Sequence, residues 1–531
     1  MLWMMRSSLG FLIPSTAALA ARSSAPHAAA HGRPDAAAFA SSSPSTPPYK
    51  VLIIGAGATG CLVAHRLGQL SQADATGKLG AIELDVVERA SYASGRLGAG
   101  ASLPGRAHCD LGAQVLSIVD PADERSTATQ RPQAAHGITP RDVDHAHELV
   151  TSLESRGLLV PAPDDALCGT EERLNWPGFW RHFWGSPGGG LRRVLKTLLD
   201  DAGVQPSFGV RVGSLEAAQD GTNVHRLRVR GVRRTWGAAE ADGTGQAAPP
   251  REEPWVGDYD CVVACIPGPN ALEIDGLVDL LPPLSAKVLR RVGYDARTAR
   301  AVWYDSPEVC GRLRELFGRL SPARAELDDL DLADLHHMNA TSMPVGYASN
   351  GSNGYTAGRD GPDSQIELLA FQDAKRMMAT RSPTEGDLNS TDRTRGCAVV
   401  AHGVAGSQRG AFADIPSRGP GSVHALLARR MSGVSEKEVA AAEVGSKAIR
   451  WTTAQLIRPM EAVVEDPPMA PDPIWQVMTG GIGGEVGEKG RGPILLVAGD
   501  LMTQSSFLGC VASANAAAQI IMTRATGGAA Y

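Results

Sequence analysis

The chain has 531 residues, of which 43% are hydrophobic and 20% charged, enough for more than one domain and a large core. A formal net charge of -6 with no dominant basic stripe argues against a nucleic-acid binder, and no apolar run reaches the length of a membrane span. The 8 cysteines are scattered, without a C-x-x-C pair or zinc-like spacing, and read as reduced structural thiols.

Residues 1–48 are rich in Ala and Ser, carry Arg6, Arg22 and Arg33, and have no acid before Asp35. That is the composition of an organelle transit peptide, plastid ahead of mitochondrion; the alternative is a disordered tail on a cytoplasmic protein. Patterned sequence begins after Pro48. Val51–Ile54 reads as a buried parallel strand, residues 60–70 as a helix, and Ile82–Val87 as a second strand ending in Glu88. Leu191–Leu199 reads as a helix stopping near Gly203, Val204–Leu215 alternates as strands do, and Tyr259–Ile266 reads as a buried strand closed by Pro267. The Gly/Pro/polar stretches 236–254, 345–363, 380–396 and 479–492 read as loops or disorder.

The segment Gly55-Ala-Gly-Ala-Thr-Gly60 sits between a strand and a helix. Gly55 permits the tight turn, Gly57 lets backbone approach a pyrophosphate, and Gly60 lets the helix pack on the strand, with Thr59 beside them. The helix N-terminus offers free N–H groups to phosphates. Glu88 stands where an acid accepts from ribose hydroxyls and disfavours a 2′-phosphate in this groove. Arg96, in Ser94-Gly-Arg-Leu97, is placed for a pyrophosphate. Asp110-Leu-Gly-Ala-Gln-Val115 is a second tight segment.

Near the other end, the strand Ile494–Ala498 leads to Gly499-Asp500 and then to a helix rich in small residues, capped by Ser505 or Ser506. A nicotinamide coenzyme needs no such distant return, whereas a flavin extends far enough to need one. Asp500 would accept from ribityl hydroxyls, and the helix dipole would face the redox ring.

Together these pieces resemble the flavin-containing amine oxidase superfamily and, within it, the renalase family. The resemblance includes Phe208–Val212, Tyr259–Pro267, Arg450-Trp451 and Gln504–Cys510, and threads from about residue 50 to 528. It implies an α/β fold: an FAD-binding Rossmann-like domain of glutathione-reductase type with a second α+β substrate domain. The first would comprise residues 49–120, 190–275 and 490–531, and the second 121–189 and 276–489. By position, Thr59, Arg96, Gln114 and Val115 would touch a non-covalent FAD. Glu88 would meet the adenosine ribose, Val210 or Arg211 the adenine and Asp500 the ribityl chain. Ser94 departs from the family's usual glycine, and no aromatic amine cage is evident.

The resemblance further implies oxidation of 2- and 6-dihydro isomers of NAD(P)H, with O2 as acceptor. The alternatives are an oxidase or desaturase acting on another small reduced metabolite, or a weakly active flavin-binding protein. His402, in Ala398–His402, reads either as a pocket residue or as a hydrogen-bonded core histidine. Asp373 stands where related chains carry asparagine. No metal site, nucleic-acid partner or integral membrane segment is expected.

Overall fold

The computed structural model describes residues 47–73, 82–93, 95–103, 108–119, 138–162, 167–169, 180–186, 189–220, 224–235, 250–319, 366–372, 396–403, 415, 419, 421–453, 456–458, 477–481, 492–502 and 506–526. The leader up to residue 46, Ser94, Asp373, Ser505 and most of the expected inserts lie outside the described residues. Everything described belongs to one unit, Pro47–Tyr531.

A six-stranded sheet runs in the order Val477–Gly481, Ile494–Ala498, Cys261–Ala264, Tyr49–Ile54, Ile82–Glu88, Ser207–Phe208. The last five strands are parallel, and Val477–Gly481 is an antiparallel edge. This is a mixed α/β, Rossmann-like arrangement. Val51, Leu52 and Ile53 are fully buried, which is why the central strand is an unbroken apolar run. Val51 and Ile53 join the core under the helices Ala58–Ala73 and Phe507–Ala525, while Leu52 and Ile54 face Val210, Leu215 and Leu227. Burying each such side chain contributes about 2 kcal/mol relative to exposure. The helix Gly190–Asp201 buries Leu191, Val194, Leu195, Leu198 and Leu199, a helical spacing, and gives way to Gly203 at a φ of 69°.

The helix Pro140–Ser155 begins on a capping box, Thr139 with Asp142, and carries proline in its first turn. This region buries Val143, Leu149, Leu153 and Phe183 in one core with residues of the six-stranded sheet. Asp142 accepts from Asn515 Nδ2 at 2.7 Å, tying the two helices together.

The middle of the chain, irregular by sequence, contributes to a five-stranded antiparallel sheet in the order Glu443–Trp451, Arg297–Tyr304, Cys397–Gly403, Ile366–Phe371, Leu167–Gly169. Alternation gives it two apolar faces. Ala299, Ala301, Trp303, Ala398 and Val400 pack on Cys109 and Leu111, whereas Val302, Tyr304, Val399 and Ala401 pack with Val309, Leu313, Leu426 and Leu427. Two expected inserts also hold strand: Arg251–Tyr259 takes up 251–254, and the edge strand takes up Gly480 and Gly481.

Arg226, Arg228, Arg230 and Arg234 form a row on the strand Val224–Thr235, but each meets a carboxylate, of Asp260, Asp258, Glu216 and Glu252 in turn. The row is thereby neutralised. One cysteine reading is corrected: Cys310 and Cys397 form a disulfide, because the helix Pro307–Arg319 brings their Cα atoms to 5.6 Å. Cys61, Cys109, Cys261, Cys265 and Cys510 are buried and form no disulfide. Among the described residues no helix is long and apolar enough to cross a membrane.

Burial lowers the pKa values of His65, His145 and His182, the last from 6.5 to about 3. The folded chain therefore holds fewer protons than the unfolded chain below about pH 6.5, so the stability these groups confer is present above that value and lost as the pH falls. Urea unfolding is expected to show a plateau near neutrality. Below about pH 6.5 stability should decline, with His182 contributing about 1 kcal/mol per pH unit. His182→Gln should flatten the slope.

Candidate functional site

The strand order reverses between Tyr49–Ile54 and Cys261–Ala264, and at the carboxyl ends of strands such a point opens a crevice. Gly55 lies there at a φ of 101°, and a Cβ on it would meet the Cys265 carbonyl oxygen at 2.8 Å. The Gly55 N–H donates to the Val87 carbonyl at 2.8 Å. Glu88 then fixes the turn: its carboxylate accepts from the Ala56 N–H at 2.9 Å and the Ala90 N–H at 2.8 Å. Its remaining lone pairs are available to the crevice, which it lines.

The glycines of the turn divide the work. A Cβ at Gly60 would run into the Gly55 carbonyl oxygen, so Gly60 serves helix–strand packing. Among the described residues a Cβ at Gly57 would find only Gly95 Cα, at 3.9 Å, an ordinary contact. Protein packing does not require glycine at 57, so the space beside it is left for something that enters the crevice.

The chain returns at Asp500. Arg96 donates to Asp500 Oδ1 at 2.6 Å, its guanidinium 5.3 Å from the Tyr294 ring centre. The Tyr294 hydroxyl lies 3.5 Å from the same oxygen. Burial works against the Arg96 charge, but Asp500 outweighs it and the pKa is raised. Ser506 caps the helix Phe507–Ala525 by accepting from the Gly509 N–H at 3.0 Å. One turn further along the buried face, Ser513 Oγ accepts from the Gly499 N–H at 2.8 Å and ties the helix to the strand end.

The back wall comes from the Asp110–Val115 segment. The Gln114 side chain is buried, and its Nε2 approaches the Asp110 carbonyl oxygen at 2.5 Å, the Gly112 carbonyl oxygen at 3.2 Å and His402 Nε2 at 3.0 Å. Gln372 Nε2 donates to Gln114 Oε1 at 2.8 Å. His402 shares a sheet face with Ala398 and Val400, the face that packs on Cys109 and Leu111, which is how it reaches Gln114.

These elements enclose a cavity of about 680 Å3, within the range of small-molecule sites. Gly55, Gly57, Thr59, Glu88, Arg96, Gln114, Val115, Val210, Asp500 and Ser506 all line it. Gly60 lies beneath its wall, against Gly55. His402 takes the second of its two readings: it is a buried, hydrogen-bonded histidine behind Gln114, not a lining residue. Asp373 lies outside the described residues. Arg450 and Trp451 line the cavity as well. Cys265 and Cys510 also line the cavity, and burial raises both thiols, Cys510 to about 12, so they stay protonated.

Sequence reading missed Tyr294, Gln372 and Ser513. For Ser513 a signal was present, a lone hydroxyl within a run of buried small residues. Tyr294 and Gln372 carry no local pattern, because their roles depend on strands far away in the chain.

No family model matches the chain, and no curated protein matches it. Among solved structures it is similar to an oxidoreductase from Methanosarcina mazei, at 12% identity and a TM-score of 0.36, over 88% of this chain and 99% of the other. It is also similar to the Diels-Alderase PyrE3 of pyrroindomycin biosynthesis, at 13% identity and a TM-score of 0.31, over 77% of this chain and 56% of the other.

Denaturant titration separates the two roles of glycine. Gly60→Ala is expected to cost about 1–3 kcal/mol or to prevent folding, whereas Gly57→Ala should stay within about 0.5 kcal/mol of the parent. Ser513→Ala, which strips the Gly499 N–H of its acceptor, should cost about 1–2 kcal/mol.

Proposed function

We propose that the crevice holds FAD non-covalently, in a fold of glutathione-reductase type, and that the protein is a renalase-like oxidoreductase. The observation that carries this reading is the Gly57 cradle lying in one cavity with the Arg96–Asp500 pair, so that residues from positions 55–59 and 498–510 share a single site. The donor set fits the group. The helix start at Ala58 offers N–H groups and a dipole to a pyrophosphate, and Glu88 keeps lone pairs for ribose hydroxyls. Asp500, held by Arg96, offers an acceptor to ribityl hydroxyls, and the capped helix at Ser506 turns its positive end to the same space.

When bound, FAD supplies a hydride acceptor that O2 restores, so that a dihydropyridine, a proton and O2 give the pyridinium and H2O2. Loss of hydride from 2- or 6-dihydro-NAD(P)H releases no proton, so the chain has to orient and desolvate the substrate and needs no base. The walls suit that task. Cys265 and Cys510 remain protonated, Gln114 is a neutral amide fixed by its neighbours, and Ile449 and Trp451 supply apolar surface.

Purified protein is expected to carry a flavin spectrum that bleaches anaerobically with the isomeric dihydro-NAD(P)H species and recovers in air with release of H2O2. Gly57→Ala should lose the flavin while keeping the thermal midpoint of the parent stripped of its flavin. A colourless protein that takes up no added FAD sinks the cofactor assignment. A bound flavin reduced by an amine but not by the dihydro isomers sinks the substrate assignment.

A further inference from the structure

Gln114 is a hydrogen-bonding group whose capacity can be counted completely. Its side-chain nitrogen faces two backbone carbonyl oxygens, of Asp110 at 2.5 Å and Gly112 at 3.2 Å, so that end of the amide must be the NH2 end. His402 Nε2 lies 3.0 Å from the same nitrogen and must therefore accept. The ring proton of a neutral His402 then sits on Nδ1. The other end of the amide is fixed as well. Gln372 Nε2 lies between Gln114 Oε1 at 2.8 Å and the Ala370 carbonyl oxygen at 3.5 Å, both acceptors, so Gln372 donates. The two N–H bonds of Gln114 are shared among these three acceptors, one lone pair of its oxygen is taken by Gln372, and one lone pair remains.

We infer that His402 and Gln372 are positioning residues that hold Gln114 as a fixed hydrogen-bond acceptor in the cavity wall, so that the occupant must present a hydrogen-bond donor to it. The geometry favours this over an adaptable wall amide. A free glutamine inverts to suit either a donor or an acceptor. Here inversion would set the Gln114 oxygen against two carbonyl oxygens and its NH2 against the Gln372 NH2. His402, Gln372 and Gln114 are each at most 3% exposed, so water cannot easily substitute for the lost contacts. The two positioning residues lie on one face of the five-stranded sheet, while Gln114 lies on the segment leading away from Arg96. The five-stranded sheet thus sets the polarity of the pocket. This assignment rests on the flavin reading only for the identity of the donor, which is then an N–H of the isoalloxazine ring or of a nicotinamide carboxamide.

The test has one part that needs no cofactor. Nitrogen NMR of the full chain labelled at histidine, assigned with His402→Gln, is expected to show His402 protonated at Nδ1 and bare at Nε2. A ring protonated at Nε2 overturns the proposal even if FAD binds. In the loaded protein His402→Leu removes the acceptor, whereas His402→Gln can restore it through Oε1. The Leu variant should weaken ligand binding by about fivefold to tenfold, and the Gln variant should recover to within about twofold. If the donor is on the flavin, the change falls on the FAD dissociation constant and the visible spectrum. If it is on the substrate, the change falls on KM at unaltered FAD affinity. Gln372→Leu, which leaves His402 in place, should shift the same quantity in the same direction. Equal behaviour of the Leu and Gln variants at position 402, or a folded Leu variant indistinguishable from the parent, overturns the inference.

Discussion

Arg96 and Asp500 are 404 positions apart and meet at 2.6 Å. The Asp500 side chain is 7% exposed, so neither charge can be left alone without a large penalty, and removal of either partner would cost several kcal/mol. The contact is therefore a constraint on the whole chain. It requires the strand Ile494–Ala498 to end beside the glycine turn, and the parallel register with Cys261–Ala264 places it there. Tyr294 completes the constraint from a third region by lying under the guanidinium. The crevice exists because these three regions are fixed to one another.

The two sheets do different work around that crevice. The six-stranded sheet brings backbone to it: the turn at Gly55, the helix start at Ala58 and the capped start at Ser506. These are N–H groups and dipoles, suited to anionic and hydroxyl-bearing parts of a ligand. The five-stranded antiparallel sheet acts through side chains. It fixes Gln114 with His402 and Gln372, and it supplies Arg450 and Trp451 to the cavity lining. Of the ionisable groups lining the crevice, Arg96 is paired, and Cys265 and Cys510 are kept protonated by burial. Such a wall is better arranged to hold and orient than to abstract protons.

The parts legible from the residues share a physical reason: their patterns are local. Val51–Ile54 is an apolar run because both its faces are covered, and the glycines after it are needed within six positions of one another. Glu88 was legible as a strand-end acid, but its bonds to the Ala56 and Ala90 N–H groups were not, since they depend on the parallel pairing of its strand with Tyr49–Ile54. His402 shows the same limit. Its strand was readable, but the partner that makes it a support for Gln114 lies 288 positions away. The helix Pro140–Ser155 has a readable cap and amphipathic face, yet nothing in it says which sheet that face covers.

Short-range chemistry by itself determined the strand–turn–helix at Gly55–Gly60, the acid at 88, the strand and small-residue helix around Asp500, and hence the expectation of a dinucleotide reached from both ends of the chain. Tertiary structure alone decided that Arg96 pairs with Asp500, that Tyr294 lies under it, that Cys310 meets Cys397 and that Gln114 is gripped by His402 and Gln372. The reason is that hydrophobic periodicity and turn chemistry act over a few residues, so they specify elements. Side-chain pairing across hundreds of residues depends on how the two sheets are set against the segment between them, and no short pattern encodes that.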